Sequence, residues 1–402
     1  MATATSTHAN NTLPPPTERY TVLGWLRKNL FSGWLNTLLT LVVAVLLYTL
    51  LRPVLTWMFN AAEWEVIPAN WNLIMRGQYP ADQVYRLWFV LYLLGGVVGL
   101  AWGVWGRNLV WATLVVFAIP LLLMLIPWFG ADTRLNLMMV EIIGLACYAI
   151  GRFGPSWLGR VATWAIVLFF PAAILLVRGF GMALPVVQSN VWGGLLLSLM
   201  LAAVGIVFSF PLGVLLALGR QSKLPAIRIL SVVYIEFIRG VPLISLLFMA
   251  QVMLQLFLPD GFPPVDRILR AMVAITLFSA AYTAENVRGG LQSIPKGQTE
   301  AAHALGLNGF QTMLRIVLPQ ALTAVIPVLV GQFIGLFKDT SLVALVGLFD
   351  LLGIARTILA NPDWLGTQME VYLVIAAIYW VFSYSMSYAS RRLEMTLGRG
   401  RR

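Results

Sequence analysis

The chain has 402 residues, of which 59% are hydrophobic and 11% charged, with a formal net charge of +11. That much apolar surface cannot be hidden inside one water-soluble fold of this size, so a soluble enzyme or binding module is excluded and an integral membrane protein is expected. The positive excess suits anionic lipid heads; nucleic acid is not expected as a partner, because Trp and Tyr crowd the ends of apolar runs, as in WATLVV and MLIPWF.

The polar tail over residues 1–30 is rich in Thr, Asn and Pro and lacks the basic start and small-residue cleavage site of a signal peptide. The first apolar run is therefore expected to remain as an anchor. Apolar runs near or above about 18 residues recur along the chain, enough to cross a hydrocarbon core of ~30 Å, and the alternating pattern of a membrane barrel is absent. The expected fold is all-α, with about ten transmembrane helices. They fall at 35–51, 85–105, 109–128, 135–150, 161–176, 191–218, 230–257, 268–287, 321–336 and 371–389. This count puts both termini on one side, together with Arg27, Lys28, Arg152, Arg160, Arg220, Lys223 and the basic tail over 395–402. The positive-inside rule makes that side cytoplasmic.

Organisation changes near residue 180. Over 31–185 the additional spans are joined by short basic turns such as WGRN and GRFGPSWLGR, apart from an external loop near 60–84 of polar and aromatic character. Gly95, Gly99 and Gly103 form an i, i+4 stripe in the second span, which lets another helix approach closely. From 190 to 394 the loops lengthen and acquire structure, and no fixed-period repeat is visible. Cys147 is the only cysteine, so an intrachain disulfide is ruled out. Ionisable groups at membrane depth are costly. Glu236 with Arg239, and Glu285 with Arg288, are three apart and are expected to pair on their own helices, whereas Glu141 stands alone and receives no role.

The most informative stretch is GQTEAAHALGLNGFQTMLRIVLPQ, Gly297 to Gln320, which lies on the cytoplasmic side by this topology. Pro295 suits a first helical turn, and Ala301, Ala302 and Leu305 make a small apolar edge. Gly306 can take the left-handed conformation that ends a helix. Asn308 and Gln311 are spaced as a capping box for a second helix, in which Phe310, Met313, Leu314, Val317 and Leu318 form one apolar stripe. Pro319 then marks the start of the next span. Two short helices at an angle make a rigid knob, which either lies on lipid heads or docks into a groove of a cytoplasmic partner.

This stretch resembles the coupling loop of binding-protein-dependent ABC importer permeases, whose pattern is EAA, three residues, G, nine residues, I, one residue, LP. Glu300, Ala301, Ala302, Gly306, Ile316, Leu318 and Pro319 occupy every position of it. The stretches EFIRGVPL from Glu236, AAYTAENVRGGLQSIPKGQTEAA from Ala280 and FKDTSL from Phe337 look like the polar amino acid branch. With the long amino-terminal extension, the whole chain looks like the second membrane subunit of a general L-amino-acid importer. The resemblance implies a permease core over 190–394 with its coupling loop at 293–319, in the bacterial inner membrane. It implies four kinds of partner: a second homologous permease, two cytoplasmic ATP-binding subunits, a periplasmic amino-acid-binding protein and an L-amino acid as substrate. Consistently, no G-x-x-x-x-G-K-[ST] phosphate cradle occurs, so ATP hydrolysis is placed in other subunits; no catalytic residue, metal or cofactor is expected here.

An amino acid in such a pathway needs a donor for its carboxylate and an acceptor for its ammonium group. Lys338, Asp339, Thr340 and Ser341 follow a span at its expected outer end and supply both, so they form the candidate substrate pathway; a polar cap at a span end is the alternative. The next stretch, VALVGLFDLLGIARTI, is broken by Gly347, Asp350 and Gly353 and fits a partly buried half-helix lining a cavity. A secondary amino acid transporter would be expected to show matched interrupted halves, and a channel a filter such as TVGYG. Neither pattern is found.

Overall fold

The computed structural model describes residues 22–106, 117–118, 120–181, 184–259 and 264–398. The expected span at 109–128 falls largely outside them, as do the tail before residue 22 and the basic end after 398. The chain divides into two compact units, Met1–Glu63 and Trp64–Arg402. In the first, helix α1 (Val22–Asn29) precedes α2 (Trp34–Asn60), a 27-residue helix that contains the expected anchor and tolerates Pro53. At 1.5 Å per residue α2 is roughly 40 Å long, ample for a bilayer.

The second unit begins with two short helices, α3 (Val66–Ala69) and α4 (Trp71–Arg76), where a loop is expected from sequence. Long helices follow: α5 (Tyr85–Trp105), α6 (Ala131–Phe153), α7 (Leu158–Arg178) and α8 (Gly194–Arg220). Next come α9 (Pro225–Gly240), α10 (Leu243–Phe248) and α11 (Leu254–Phe257), with a π-turn at Met249–Met253 between the last two. Helix α12 (Arg267–Gln292) leads to the knob, formed by α13 (Lys296–Ala304), α14 (Gly309–Thr312) and a second π-turn at Met313–Val317. Helix α15 (Leu318–Asp339), a 3-10 turn over Thr340–Val346, α16 (Leu351–Leu359) and α17 (Gln368–Gly398) complete the unit. Among the described residues there is no β-strand, only isolated bridges between Gly77 and Trp192 and between Gly194 and Asp350.

Among the described residues, eight helical stretches are long and apolar enough to cross a membrane, and a ninth results if one bent pair is a single span. That pair corrects the straight span expected over 230–257. Pro225–Gly240 and Leu243–Phe257 meet at 104°, because Val241 and Pro242 interrupt the helix and Pro242 has no N–H to continue it. The glycine stripe of α5 does what its spacing predicts. A Cβ at Gly95 would lie 3.0 Å from the Val140 carbonyl oxygen, and one at Gly99 or Gly103 would collide with the carbonyls of Gly144 or Tyr148 on α6. Gly151 of α6 reciprocates against Leu100, so two backbones are in contact along the seam.

Three apolar cores hold the unit together. One joins α8, α12 and the end of α15 through residues such as Leu197, Leu201, Ile275 and Phe337. A second sets Val66 and Ile74 of the short helices against Leu351 and Ile354 of α16 and Val371 of α17. The third lies beneath the knob, where Ala217, Ile235, Ala284, Val287, Ala321 and Val325 meet. The stretch expected to be an external loop is therefore partly a plug, since Val66 and Ile74 are fully buried. Two hydrogen bonds tie α5 and its approach to the segments before α8. The Tyr79 hydroxyl donates to the Val177 carbonyl at 2.8 Å, and Nη1 of the fully buried Arg86 donates to the Pro185 carbonyl at 2.8 Å.

Candidate coupling knob and groove

The knob is built locally. Gly306 has φ +81°, with open space around its missing Cβ, so the glycine is required by backbone conformation and not by crowding. The Gly306 N–H donates to the His303 carbonyl at 2.9 Å, and that of Leu307 to the Ala302 carbonyl at 3.1 Å, which closes the end of α13. Asn308 then accepts from the Gln311 N–H at 2.8 Å while the Gln311 side chain accepts from the Asn308 N–H at 3.1 Å, a complete capping box.

Two details depart from the sequence expectation. The second knob helix does not stop at Pro319; helical structure runs on from Gly309 to Val346 as one 38-residue stretch. Pro319 cannot donate to the ladder, and the π-turn just before it takes up the mismatch. Next to it, the Gln320 side chain donates to the Ile316 carbonyl at 2.8 Å. The apolar stripe also divides. Val317 is buried and Met313 and Leu318 pack on the core beneath the knob, whereas Phe310 (74% exposed) and Leu314 (43%) face outward. On α13 only Ala302 is buried; Glu300 and Ala301 are exposed, as is Leu305 just past its end, so the knob presents a carboxylate and apolar side chains on one segment. Ile316 is half-buried and Pro319 exposed.

Behind the knob, the ends of α8, α9 and α12 are held by charge. Glu285 accepts from Arg288, as expected, and also lies 3.6 Å from both Arg220 and Arg239. The expected Glu236–Arg239 pair is not formed. Glu236 pairs with Arg220 of the preceding helix at 2.7 Å, and the Arg239 guanidinium lies 5.6 Å above the Tyr282 ring. Helical spacing made the i, i+3 partner available, but a helix that packs alongside offered a closer one.

Along α15, Gln332 forms a polar joint with α12. Its amide nitrogen donates to the Ser279 carbonyl at 2.9 Å and the Thr283 hydroxyl at 2.9 Å, and its oxygen accepts from Asn286 at 2.7 Å. Nothing in a single sequence marked these residues out; a polar side chain among apolar neighbours on a span was the available signal.

At the far end of α15 a groove of about 420 Å³ opens between this helix and α17, lined by Lys338, Ser341, Ala376, Tyr379, Trp380 and Ser383. The structure thus separates the four residues proposed for the pathway. Lys338 and Ser341 line the groove. Thr340 is buried and donates to the Phe337 carbonyl at 2.7 Å, and half-buried Asp339 is not among the lining residues. No ion pair joins Lys338 or Asp339 to another described residue. Beneath the groove, fully buried Asp350 caps α16, accepting from the N–H groups of Gly353 at 3.0 Å and Leu352 at 3.1 Å and from the Tyr379 hydroxyl at 3.3 Å. Burial pushes its carboxyl up to about 6, against the pull of these donors. Helix α16 is the expected half-helix, but it is packed in the core beside the short helices and does not line the groove.

The knob, with Glu300 and Ala301 exposed and Ala302 buried, is thus continuous with a span that ends at a polar groove. Residues 209–398 match the family of binding-protein-dependent transport system inner membrane components. Over 94% of this chain and 93% of its own length, an inner membrane amino-acid ABC transporter permease protein of Escherichia coli is 41% identical. A glutamate/glutamine/aspartate/asparagine transport system permease protein of Rhodobacter capsulatus is 40% identical over 97% of this chain and 96% of its own. The crystal structure of an amino acid ABC transporter with histidines aligns with 50% of this chain and 92% of that chain, at 30% identity and a TM-score of 0.46. The chain belongs to the amino-acid ABC transporter permeases. It is a multi-pass inner membrane subunit of an importer, not itself an enzyme; ATP hydrolysis resides in separate subunits, and the family implies ATP-binding and substrate-binding partners.

Proposed function

We propose that this subunit pairs with a second, similar permease, that two ATP-binding subunits dock on the knobs of the pair, and that a periplasmic amino-acid-binding protein delivers an L-amino acid to the groove. The knob and both termini are placed in the cytoplasm, as the basic residues at that end of the spans favour. Residues 190–394 act as the permease core, and 31–185 as additional transmembrane helices. Glu300, Ala301, Ala302, Gly306, Ile316, Leu318 and Pro319 form the coupling element. Lys338 and Ser341 line the substrate path, with Asp339 and Thr340 supporting its rim.

One observation carries this reading: the helical run Gly309–Val346 has a knob arm at one end and the groove at the other. A displacement imposed on the knob is delivered at the groove, which needs only two arrangements biased by ATP binding. Lys338 is exposed at the groove, which leaves its ammonium group open to a watery path or to the second permease. Its ammonium group suits the carboxylate common to all amino acids, in keeping with the substrates in the two relatives' names.

The test is uptake by the reconstituted complex. Asp339→Asn is expected to lower uptake per assembled complex while ATPase docking stays normal; unchanged uptake removes Asp339 from the pathway. Glu300→Ala is expected to leave membrane insertion intact and to uncouple hydrolysis from uptake. Uptake that runs on an ion gradient without ATP would overturn the importer mechanism in favour of a secondary transporter.

A further inference from the structure

A second cleft, of about 460 Å³, lies on the inner side of the knob, between the end of α12, α13 and the π-turn that precedes α15. Its polar walls are Gln221, Gln292, Lys296, Thr299 and Thr312. The ring of His303 also faces it, with Nδ1 3.1 Å from the Leu307 carbonyl. Leu291, Ile294, Met313 and Val317 supply an apolar floor. No acidic side chain lines it, although Glu300 stands on the same helix. Thr312 is 2% exposed and its hydroxyl has no hydrogen-bond partner, a costly arrangement unless a ligand supplies one.

We propose that this cleft binds a phosphate-bearing anion and that its occupancy sets how readily the knob transmits motion. The chemistry is one-sided. Lys296 offers an ammonium group, and the threonine hydroxyls and glutamine amides offer neutral donors, which suits an anion with several acceptor oxygens. A zwitterionic amino acid would leave its ammonium group without a countercharge, and a metal cation would meet Lys296. The apolar floor fits the glycerol and first methylenes of an anionic phospholipid, whose headgroup reaches this depth if the knob is cytoplasmic as proposed above; free phosphate satisfies the same donors without that floor. The cleft joins the two knob arms, α13 and the π-turn, so an occupant spans the hinge between them.

The experiment uses the whole importer with its partner subunits. In detergent, inorganic phosphate is titrated against the melting temperature of the complex, a readout that does not depend on which side the knob faces. In proteoliposomes, ATP hydrolysis is compared between vesicles of phosphatidylglycerol mixed with phosphatidylcholine and vesicles of phosphatidylcholine alone. Lys296→Gln and Thr312→Val are measured beside the native chain in both. The proposal predicts a stimulation or stabilisation by at least one probe that Lys296→Gln weakens about tenfold in apparent affinity, with Thr312→Val weakening it less. Dependence on phosphatidylglycerol alone assigns the site to lipid, and dependence on phosphate alone assigns it to the free anion. Equal responses of the native chain and both variants to both probes overturn the proposal. A phosphate response in detergent without any vesicle response keeps the site and refutes the lipid source, leaving the cytoplasmic placement to be tested by cysteine labelling at Leu305.

Discussion

The α5–α6 seam and the α12–α15 seam are both helix contacts within the membrane, and they are made differently. The first brings backbones together through Gly95, Gly99, Gly103, Gly144 and Gly151, with no side chains between them over much of the contact. The second combines one close approach at its knob end, where a Cβ at Gly290 would lie 2.7 Å from the Ala321 carbonyl oxygen, with side-chain packing of Val287 and Val325 and a polar joint, Gln332 on Ser279, Thr283 and Asn286. Backbone contact of the first kind has one geometry and no slack. A joint of hydrogen bonds can exchange partners at small cost, typically below about 1 kcal/mol in membranes. The difference is one of extent: α5 and α6 approach closely at Gly95, Gly99, Gly103 and Gly151 and make a fixed frame, whereas α12 and α15 do so at Gly290 and are otherwise joined through side chains, which leaves α15 the part better able to shift.

The largest effect is expected from breaking the frame. Gly99→Leu drives a side chain into the Gly144 backbone, and a loss of about 3 kcal/mol is expected, seen as a lower melting temperature and poorer assembly of the complex. A well-assembled Leu variant would mean that the seam has slack. Next comes the buried carboxyl that caps α16. Asp350 has its carboxyl raised to about 6 from an ordinary value of 3.8, so it favours the folded state when protonated. The folded chain holds its proton between those two values and the unfolded chain does not. Its stabilising contribution is therefore present below about pH 4 and lost as pH rises through about 6, a change on the order of 3 kcal/mol. Asp350→Asn, which keeps the helix cap, should flatten that part of the melting profile. An unchanged slope would place the titration elsewhere.

Gly306→Val forces a β-branched residue to φ +81°, with a cost of about 1 to 2 kcal/mol confined to the knob. Membrane insertion should persist while copurified ATPase falls; normal amounts of ATPase would contradict the corner geometry. The smallest change in stability is expected at the joint, where Gln332→Leu should cost about 1 kcal/mol. Its mark should be on coupling, as more ATP hydrolysed per substrate imported. If instead the complex fails to assemble, the joint is frame and the contrast between the seams collapses.

Much of the knob was legible in the sequence because its determinants are local. Gly306, Asn308 and Gln311 act over three or four residues, and backbone chemistry alone prescribes the left-handed corner and the capping box. The glycine stripe was legible for the same reason. What the sequence hid was the choice among partners that only packing brings near. Glu236 takes Arg220 over Arg239, and Tyr379 and Ser383 face Lys338 from a helix some forty residues on. The bend at Val241 was masked by apolar residues on both sides that read as one span. The plug formed by Val66 and Ile74 was masked by the polar residues between them.

Helix α15 is expected to carry the knob's motion to the groove as a rigid rod. Spin labels at Leu314 and Leu345, both exposed and at opposite ends of the run Gly309–Val346, report the rod; labels at Leu345 and Val381, also exposed, report the groove between α15 and α17. Distances are measured in the reconstituted complex without nucleotide and with ATP trapped. The rod distance is expected to stay constant while the groove distance changes. A rod distance that changes on trapping ATP, with the groove unmoved, would contradict the account.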